Sequence, residues 1–91
     1  MTLLNVGYGN LVAAERILAI VAPDAAPSRR LVQEARDAGR AIDATSGKKT
    51  RAVLVLDTGH VMLSALQPET LAGRLAGREA ERRATEGGDE P

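Results

Sequence analysis

The sequence predicts a small single-domain α+β fold, and two features of its apolar pattern support this. Short runs of aliphatic and β-branched residues alternate with turns that contain glycine or proline, which is typical of strands. Two other stretches place apolar residues at helical spacing, one in the middle of the chain and one near its end. At 91 residues the chain has room for one domain, which buries roughly 60–65% of the surface that the unfolded chain exposes.

The pattern predicts six short strands. Glycines 7 and 9 supply the turn after the first strand, and Asp57-Thr-Gly59 is expected to form a tight hairpin turn before the last. The predicted strands are Thr2–Val6, Leu11–Ala14, Arg16–Val21, Ala41–Thr45, Arg51–Leu56 and His60–Leu66.

The third of these strands is apolar on both faces. Strict alternation places Ile17, Ala19 and Val21 on one face and Leu18 and Ile20 on the other. We therefore expect this strand to be central in its sheet or to be covered by a partner subunit.

Two helices complete the prediction. Pro27 suits the first position of the main helix, and Gly39 suits its end. The second helix begins within 67–70, and its apolar pattern fades after Ala76. We therefore predict a domain over residues 1–76 and a polar, disordered tail over 77–91. The apolar stripe of the main helix is Leu31, Val32, Ala35 and Ala38.

The composition limits both the core and the chemistry. Tyr8 is the single aromatic residue, so the core must be aliphatic and is a candidate for being shared with further copies of the chain. The absence of cysteine excludes disulfides and thiolate metal sites. No signal peptide or membrane span is recognisable, which predicts a cytoplasmic protein that does not enter a membrane.

Positive charge is concentrated in one part of a chain whose formal net charge is zero. The window from Arg29 to Arg51 holds seven basic and three acidic residues. Three of the basic residues, Lys48, Lys49 and Arg51, lie in a loop that we interpret as a hairpin tip between two strands. Such a loop can bind a polyanion such as a nucleic-acid backbone, or can simply be solvated charge.

Further arginines follow the main helix. Arg29 and its neighbour Arg30 lie near the predicted start, and Arg36 and Arg40 recur with Gln33 along one face. This row is either a solvated helix face or a flank that contacts phosphates. On the second interpretation, Arg29 and Arg30 join the candidate DNA-binding residues.

No catalytic or metal-binding motif survives inspection. The string Gly47-Lys-Lys-Thr50 lacks the first glycine of a phosphate-binding loop and precedes a strand instead of a helix. His60 is the single histidine, and in a strand it lies about 13 Å from Ser64, which is too far for a nucleophile and its base. We therefore expect a protein that is not an enzyme and that has no cofactor or metal.

Several strings in the chain occur in the order seen in one family. The protein resembles the RemA-like extracellular matrix regulatory proteins of bacteria from about Thr2 to Leu75. The strings that carry the resemblance are Asn5–Asn10, Arg16–Val21, Gln33–Asp37, Ile42–Thr45, Gly47–Ala52, His60–Val61 and Leu63–Thr70.

The resemblance implies a DNA-binding transcriptional regulator of biofilm-matrix genes. It implies a LytTR-like antiparallel β-sheet domain with one main helix and a C-terminal helix, assembled into a ring that presents a basic rim to double-stranded DNA at the nucleoid. The family's DNA-contacting positions correspond to Arg16, Lys48 and Lys49, and the resemblance also implies that Pro27 lies at a position important for function.

The chain departs from this family at the lysine pair, where the family often has two arginines. Lysine lacks the planar fork that binds guanine bidentately, so we expect binding through phosphates and DNA shape. A competing hypothesis from another class is a structural or adaptor oligomer whose basic loop binds an acidic protein. The two hypotheses differ in salt dependence and in competition by bulk DNA.

Overall fold

The computed structural model describes residues 2–87, with side chains described as far as Gly77. Each predicted strand is present, shortened by one or two residues at one or both ends. The strands are β1 (Leu3–Asn5), β2 (Leu11–Ala13), β3 (Ile17–Val21), β4 (Ala41–Asp43), β5 (Ala52–Leu56) and β6 (Val61–Ser64), and the helices are α1 (Ala26–Asp37) and α2 (Pro68–Gly87). A single 3₁₀ turn, Ala14–Arg16, joins β2 to β3.

The main sheet has four strands in the order β3-β5-β6-β4, and β1 and β2 form a separate two-stranded ribbon. The prediction of an antiparallel sheet is only partly right, because β4 pairs with β6 in parallel. The interpretation of the basic loop as a hairpin tip is wrong. A tight turn connects β5 to β6, so β6 pairs with one side of β5, and β3 pairs with the other side. Strand β4 can therefore pair only with the outer edge of β6. The basic loop therefore connects two strands that do not pair with each other.

Strand β3 lies at an edge of the sheet, which excludes the central position allowed by its sequence. Its pairing with β5 shifts between Ile17 and Ala19, the mark of a β-bulge. The bulge breaks the predicted alternation, so that Ile17 and Ile20 pack against the same core cluster. Leu18 is left 68% exposed at this edge.

The sheet separates two apolar clusters, and both are almost wholly aliphatic. Alternate residues of β5 enter them, with Leu54 on one face and Val53 on the other, and each is fully buried. Burial of such a side chain stabilises the fold by about 1.5–3 kcal/mol. One cluster consists of Leu4, Val6, Val12, Ala44, Ala52, Leu54, Leu56, Met62 and Leu71, and the other, on the α1 side, of Ala35, Val53, Val61 and Leu63.

The helices agree with the prediction at their starts and differ at their ends. Pro27 is the second residue of α1, and Gly39 follows the helix with a φ of 73°, a conformation that glycine adopts without steric cost. Ala38 was assigned to the apolar stripe, but it lies past the last helical residue and is exposed. Helix α2 continues beyond Ala76 to Gly87. Residues 88–91 of the predicted tail lie outside the described residues.

The glycine-containing turn after β1 has the backbone that its sequence predicts. Gly7, Tyr8 and Gly9 all have positive φ, and the chain reverses into β2. Neither α1 nor the described part of α2 is long and apolar enough to cross a membrane.

Candidate nucleic-acid interface

The basic loop, residues 44–51, is held at its start by a local hydrogen-bond network. The Asp43 carboxylate accepts hydrogen bonds from the Thr45 backbone N–H at 2.9 Å and from its hydroxyl at 2.6 Å. These two bonds, with a smaller contribution from the Arg36 guanidinium, hold the pKa of Asp43 below its ordinary value. The chain then turns through Ser46 and Gly47, both at positive φ, and the Lys48 N–H donates to the Thr45 carbonyl at 3.0 Å.

The far end of the loop is anchored to the buried sheet. The Arg51 N–H donates to the Ser64 carbonyl oxygen at 2.8 Å. Ser64 is itself fully buried, and its hydroxyl donates to the Val6 carbonyl at 2.8 Å and accepts from the Leu66 N–H at 3.0 Å. The loop backbone is thus fixed at both ends while its cationic side chains project from it.

The side chains of Lys48, Lys49 and Arg51 are exposed, and none forms an ion pair within the described part of the chain. Three uncompensated charges over four residues produce a positive potential that attracts anions. The prediction that these residues form one cationic cluster is therefore consistent with their placement.

The arginines of α1 extend the positive surface beside this loop. Arg29 and Arg36 line a cleft of about 280 Å³ together with Thr50, the residue between Lys49 and Arg51. Arg29 donates to the Asp24 carbonyl at 2.8 Å. Arg30 is exposed in the same turn of the helix but does not line the cleft. Pro27 is exposed in the first turn of α1 and starts the helix that carries these arginines.

Arg16 lies at the opposite end of β5 from the basic loop. Its carbonyl accepts a hydrogen bond from the Asp57 N–H at 2.8 Å, beside the turn that joins β5 to β6. Its guanidinium donates to the Asp57 carboxylate at 3.1 Å. The length of a five-residue strand, about 17 Å, separates this end from the loop. Within one chain, Arg16 and the lysine pair are therefore not brought together.

The sequence did not predict the ion pair of Arg16 and predicted the cleft only in part. Asp57 is 41 positions from Arg16, so only the register of β3 on β5 reveals their pairing. The cleft was signalled in part by the helical spacing of Arg29, Gln33 and Arg36. Its opposite wall comes from the sheet and from Thr50, which no helical periodicity could indicate.

The remaining side chains considered for catalysis, His60 and Ser64, form hydrogen bonds within the fold. His60 Nδ1 lies 2.8 Å from the Thr58 hydroxyl, within the β5–β6 turn. The Ser64 hydroxyl is committed to two backbone groups, so the imagined histidine–serine pair does not form. Among the described residues, no three potential metal ligands lie close enough together to hold an ion.

These features place the protein in a structural class, that of small α+β domains. Its surface carries a basic loop beside an arginine-lined cleft. The family model for extracellular matrix regulatory protein A-like proteins, named RemA-like, matches residues 3–75. The chain belongs to this RemA-like family, which confirms the resemblance identified from the sequence.

Relatives from several bacteria are named, provisionally, as regulatory proteins. One from Desulfitobacterium hafniense is 55% identical over 87 residues, covering 96% of each chain. One from Synechococcus elongatus is 63% identical over 73 residues, covering 80% of this chain and 84% of its own. One from Moorella thermoacetica is 58% identical over 77 residues, covering 85% of each chain.

Proposed function

We propose that the protein is a cytoplasmic, nucleoid-associated transcriptional regulator that binds double-stranded DNA through a basic surface repeated around a ring-shaped homo-oligomer. Its targets on this proposal are genes of the biofilm matrix, as the family's description suggests. The domain plays the part of a LytTR-like DNA-binding module, and its ring multiplies weak contacts into useful affinity.

The observation that carries the proposal is the exposed, unpaired cationic group at the basic loop. Lys48, Lys49 and Arg51 sit on a backbone fixed by Asp43 and Ser64. Side chains presented from a fixed backbone lose less conformational freedom when they bind a phosphate. Arg29 lies in the first turn of α1, where no acidic residue lies, and Arg30 follows it. Both add positive charge to that of the helix dipole.

Assembly into a ring is supported by the two edges of the main sheet. Leu18 on β3 is 68% exposed at one edge, and Ile42 on β4 is 40% exposed at the other. Edge strands with exposed apolar side chains are prone to pair with another chain. A head-to-tail contact that joins one edge to the other closes into a ring when its rotation permits.

The oligomer also accounts for the separation of the DNA-contact candidates. Arg16 and the lysine pair lie at opposite ends of β5 within one chain, so a multi-subunit surface is needed to gather several copies of each. Linked weak sites gain affinity of roughly 10²–10⁴-fold through effective concentration. Such a gain compensates for the weak attraction between DNA and a single chain that has no formal net charge.

The decisive experiment measures duplex-DNA binding by fluorescence anisotropy across a salt series. The parent is expected to bind, with log K falling linearly with log salt at about 0.9 per phosphate neutralised. Lys48→Ala/Lys49→Ala should weaken binding and reduce the slope by roughly 2 for each subunit in contact. Absence of binding by the parent at low salt would contradict the proposal and favour the adaptor hypothesis.

A charge-matched control separates local contact from net charge. Arg82→Ala/Arg83→Ala removes the same number of charges from α2, and its DNA affinity should stay within about twofold of the parent because charge interactions are screened over a short range at physiological salt. Equal weakening by both double variants would contradict the assignment of the basic loop.

The ring is tested separately by mass. Leu18→Glu places a charge at the β3 edge and should convert the oligomer into smaller species in multi-angle light scattering. Leu11→Glu, at a side chain 54% exposed on β2, should leave the mass unchanged. A parent that is a monomer at all concentrations would overturn the ring.

A further inference from the structure

The cleft between α1 and the sheet differs chemically from the basic loop. The loop offers exposed cations, whereas the cleft combines polar walls with an aliphatic floor, the composition expected of a small-molecule site. The polar lining residues, which form its walls, are Arg29, Gln33, Arg36 and Thr50. The accessible aliphatic residues, which form its floor, are Pro23 and Val32, and the almost wholly buried Val53 and Leu63 also line it. None of these lining residues is acidic.

The polar groups of the cleft have unused hydrogen-bonding capacity. Arg29 spends one N–H on the Asp24 carbonyl, which positions its guanidinium and leaves its other donors available. The Gln33 amide nitrogen donates to Asp37 at 3.0 Å, so its carbonyl oxygen remains an acceptor. Arg36 has no ion pair in the described part of the chain. The cleft is thus complementary to an anion that also carries a donor.

The spacing of the two arginines indicates the shape of the ligand. Arg29 and Arg36 are two helical turns apart, about 10 Å along the axis of α1. Two guanidiniums anchored this far apart engage an elongated molecule at two points without having to converge on a single phosphate. A suitable molecule bears an anionic group at one end and a hydrogen-bonding ring at the other, with its body against Val32.

The size of the cleft sets an upper limit on that molecule. Its volume of about 280 Å³ lies just below the roughly 300–1,000 Å³ typical of small-molecule sites. A single ring system with a sugar and one phosphate suits this volume better than a larger ligand does. Guanidinium planes are surfaces on which a nucleobase stacks, and apolar side chains flank nucleobases in enzyme pockets.

We propose that this cleft is a binding site for a mononucleotide. One arginine binds the phosphate bidentately, the base packs on the aliphatic floor, and the Gln33 carbonyl and the second arginine contact polar groups on the base. This proposal does not depend on DNA binding, because it rests on the cleft and not on the exposed lysines.

Isothermal titration of the full-length protein with adenosine, guanosine, cytidine and uridine 5′-monophosphates tests the proposal without DNA. Inorganic phosphate and the four nucleosides, which are the two halves of each nucleotide, are titrated for comparison. At least one nucleotide should bind tenfold or more tightly than both of its halves, because the site contacts both ends. Failure of every nucleotide to exceed inorganic phosphate would overturn the proposal.

Variants then locate the site. Arg36→Gln, an exposed change that helix α1 should tolerate, is expected to weaken nucleotide binding tenfold or more, and Thr50→Ala should weaken it less. Arg40→Gln removes the same charge beside the turn at Gly59, outside the cleft, and should leave nucleotide affinity unchanged. Equal loss in Arg36→Gln and Arg40→Gln would overturn the assignment.

A backbone phosphate of DNA has the same chemistry as the nucleotide phosphate, so a final arm separates the two sources. Lys48→Ala/Lys49→Ala should lose DNA affinity and keep nucleotide affinity. If Arg36→Gln weakens DNA binding as much as the lysine pair does, and no nucleotide binds, the cleft is part of the DNA surface and the proposal fails. Because DNA affinity and nucleotide affinity are measured separately, loss of one proposal does not entail loss of the other.

Discussion

Positive side chains lie at both ends of β5, but they are ion-paired at one end and unpaired at the other. At one end, Arg16 is paired with Asp57 at 3.1 Å, and the backbones of the two residues are also hydrogen-bonded. At the other end, Lys48 and Lys49 have no acidic partner among the described residues. The paired cation is positioned but partly neutralised, whereas the unpaired cations keep their full charge available for a ligand.

The difference shows that local charge density alone does not identify a binding surface. Arg16 is 64% exposed and Asp57 33% exposed, and surface pairs of this kind contribute about 0–1 kcal/mol to stability. Such a pair can be exchanged for a phosphate at small cost. We therefore expect the loop to supply most of the affinity for DNA and Arg16 a smaller, adjustable part.

The largest effect on the loop end is expected from Ser64→Ala. The change leaves the Val6 carbonyl and the Leu66 N–H without their buried hydroxyl partner, which should lower the free energy of unfolding by about 1–3 kcal/mol. Urea denaturation measures this loss. Ser46→Ala, at an exposed serine of the same loop whose positive φ strains serine and alanine alike, should change stability by less than about 0.5 kcal/mol. Similar values for both would contradict the anchoring role of Ser64.

Turn glycines at the two ends should respond alike. Gly47 and Gly59 have φ of 81° and 91°, and an added Cβ meets no close contact at either. Gly47→Ala and Gly59→Ala should therefore each cost about 1–2 kcal/mol through backbone strain alone. Gly73→Ala, within α2 and with open space around it, should instead stabilise by about 0.5–1 kcal/mol. Thermal melts compare the three, and a stabilised Gly47→Ala would refute the strain argument.

Asp57→Asn sharpens the comparison directly, because it frees Arg16 while keeping the side chain's size. If Arg16 contacts DNA, affinity at low salt should rise by up to about fivefold, the equivalent of a surface ion pair of roughly 1 kcal/mol. The gain should vanish when Arg16→Ala is added, which a double-mutant cycle reveals. An unchanged affinity in Asp57→Asn would mean that Asp57 does not compete with DNA for Arg16.

The smallest effect concerns pH at the start of the basic loop. The pKa of Asp43 is lowered in the folded protein by the Thr45 hydroxyl and N–H. Its contribution to stability is therefore present above its ordinary value of 3.8 and is lost as the pH falls through the lowered folded value. The amide resonance of Thr45 should titrate in that acidic range, and Asp43→Asn should abolish the titration. A Thr45 amide that titrates unchanged in the variant would exclude this bond.

The strand and helix positions followed from the sequence because each depends on local periodicity and turn chemistry. Gly39 ends α1, and Asp57-Thr-Gly59 turns β5 into β6, because short-range steric preferences decide both. Family membership also followed, since it rests on the order of local strings. The exposure of Lys48 and Lys49 was predictable because long cationic side chains are rarely buried.

Only the tertiary structure decided how those elements meet. The parallel pairing of β4 with β6, the bulge at Leu18 and the pairing of Arg16 with Asp57 all depend on contacts between residues distant along the chain. Periodicity specifies which face of an element is apolar but not which neighbour covers it. The cleft exists because α1 packs on the sheet against β4 and β6 and brings its arginines beside Thr50. No local sequence pattern encodes that juxtaposition.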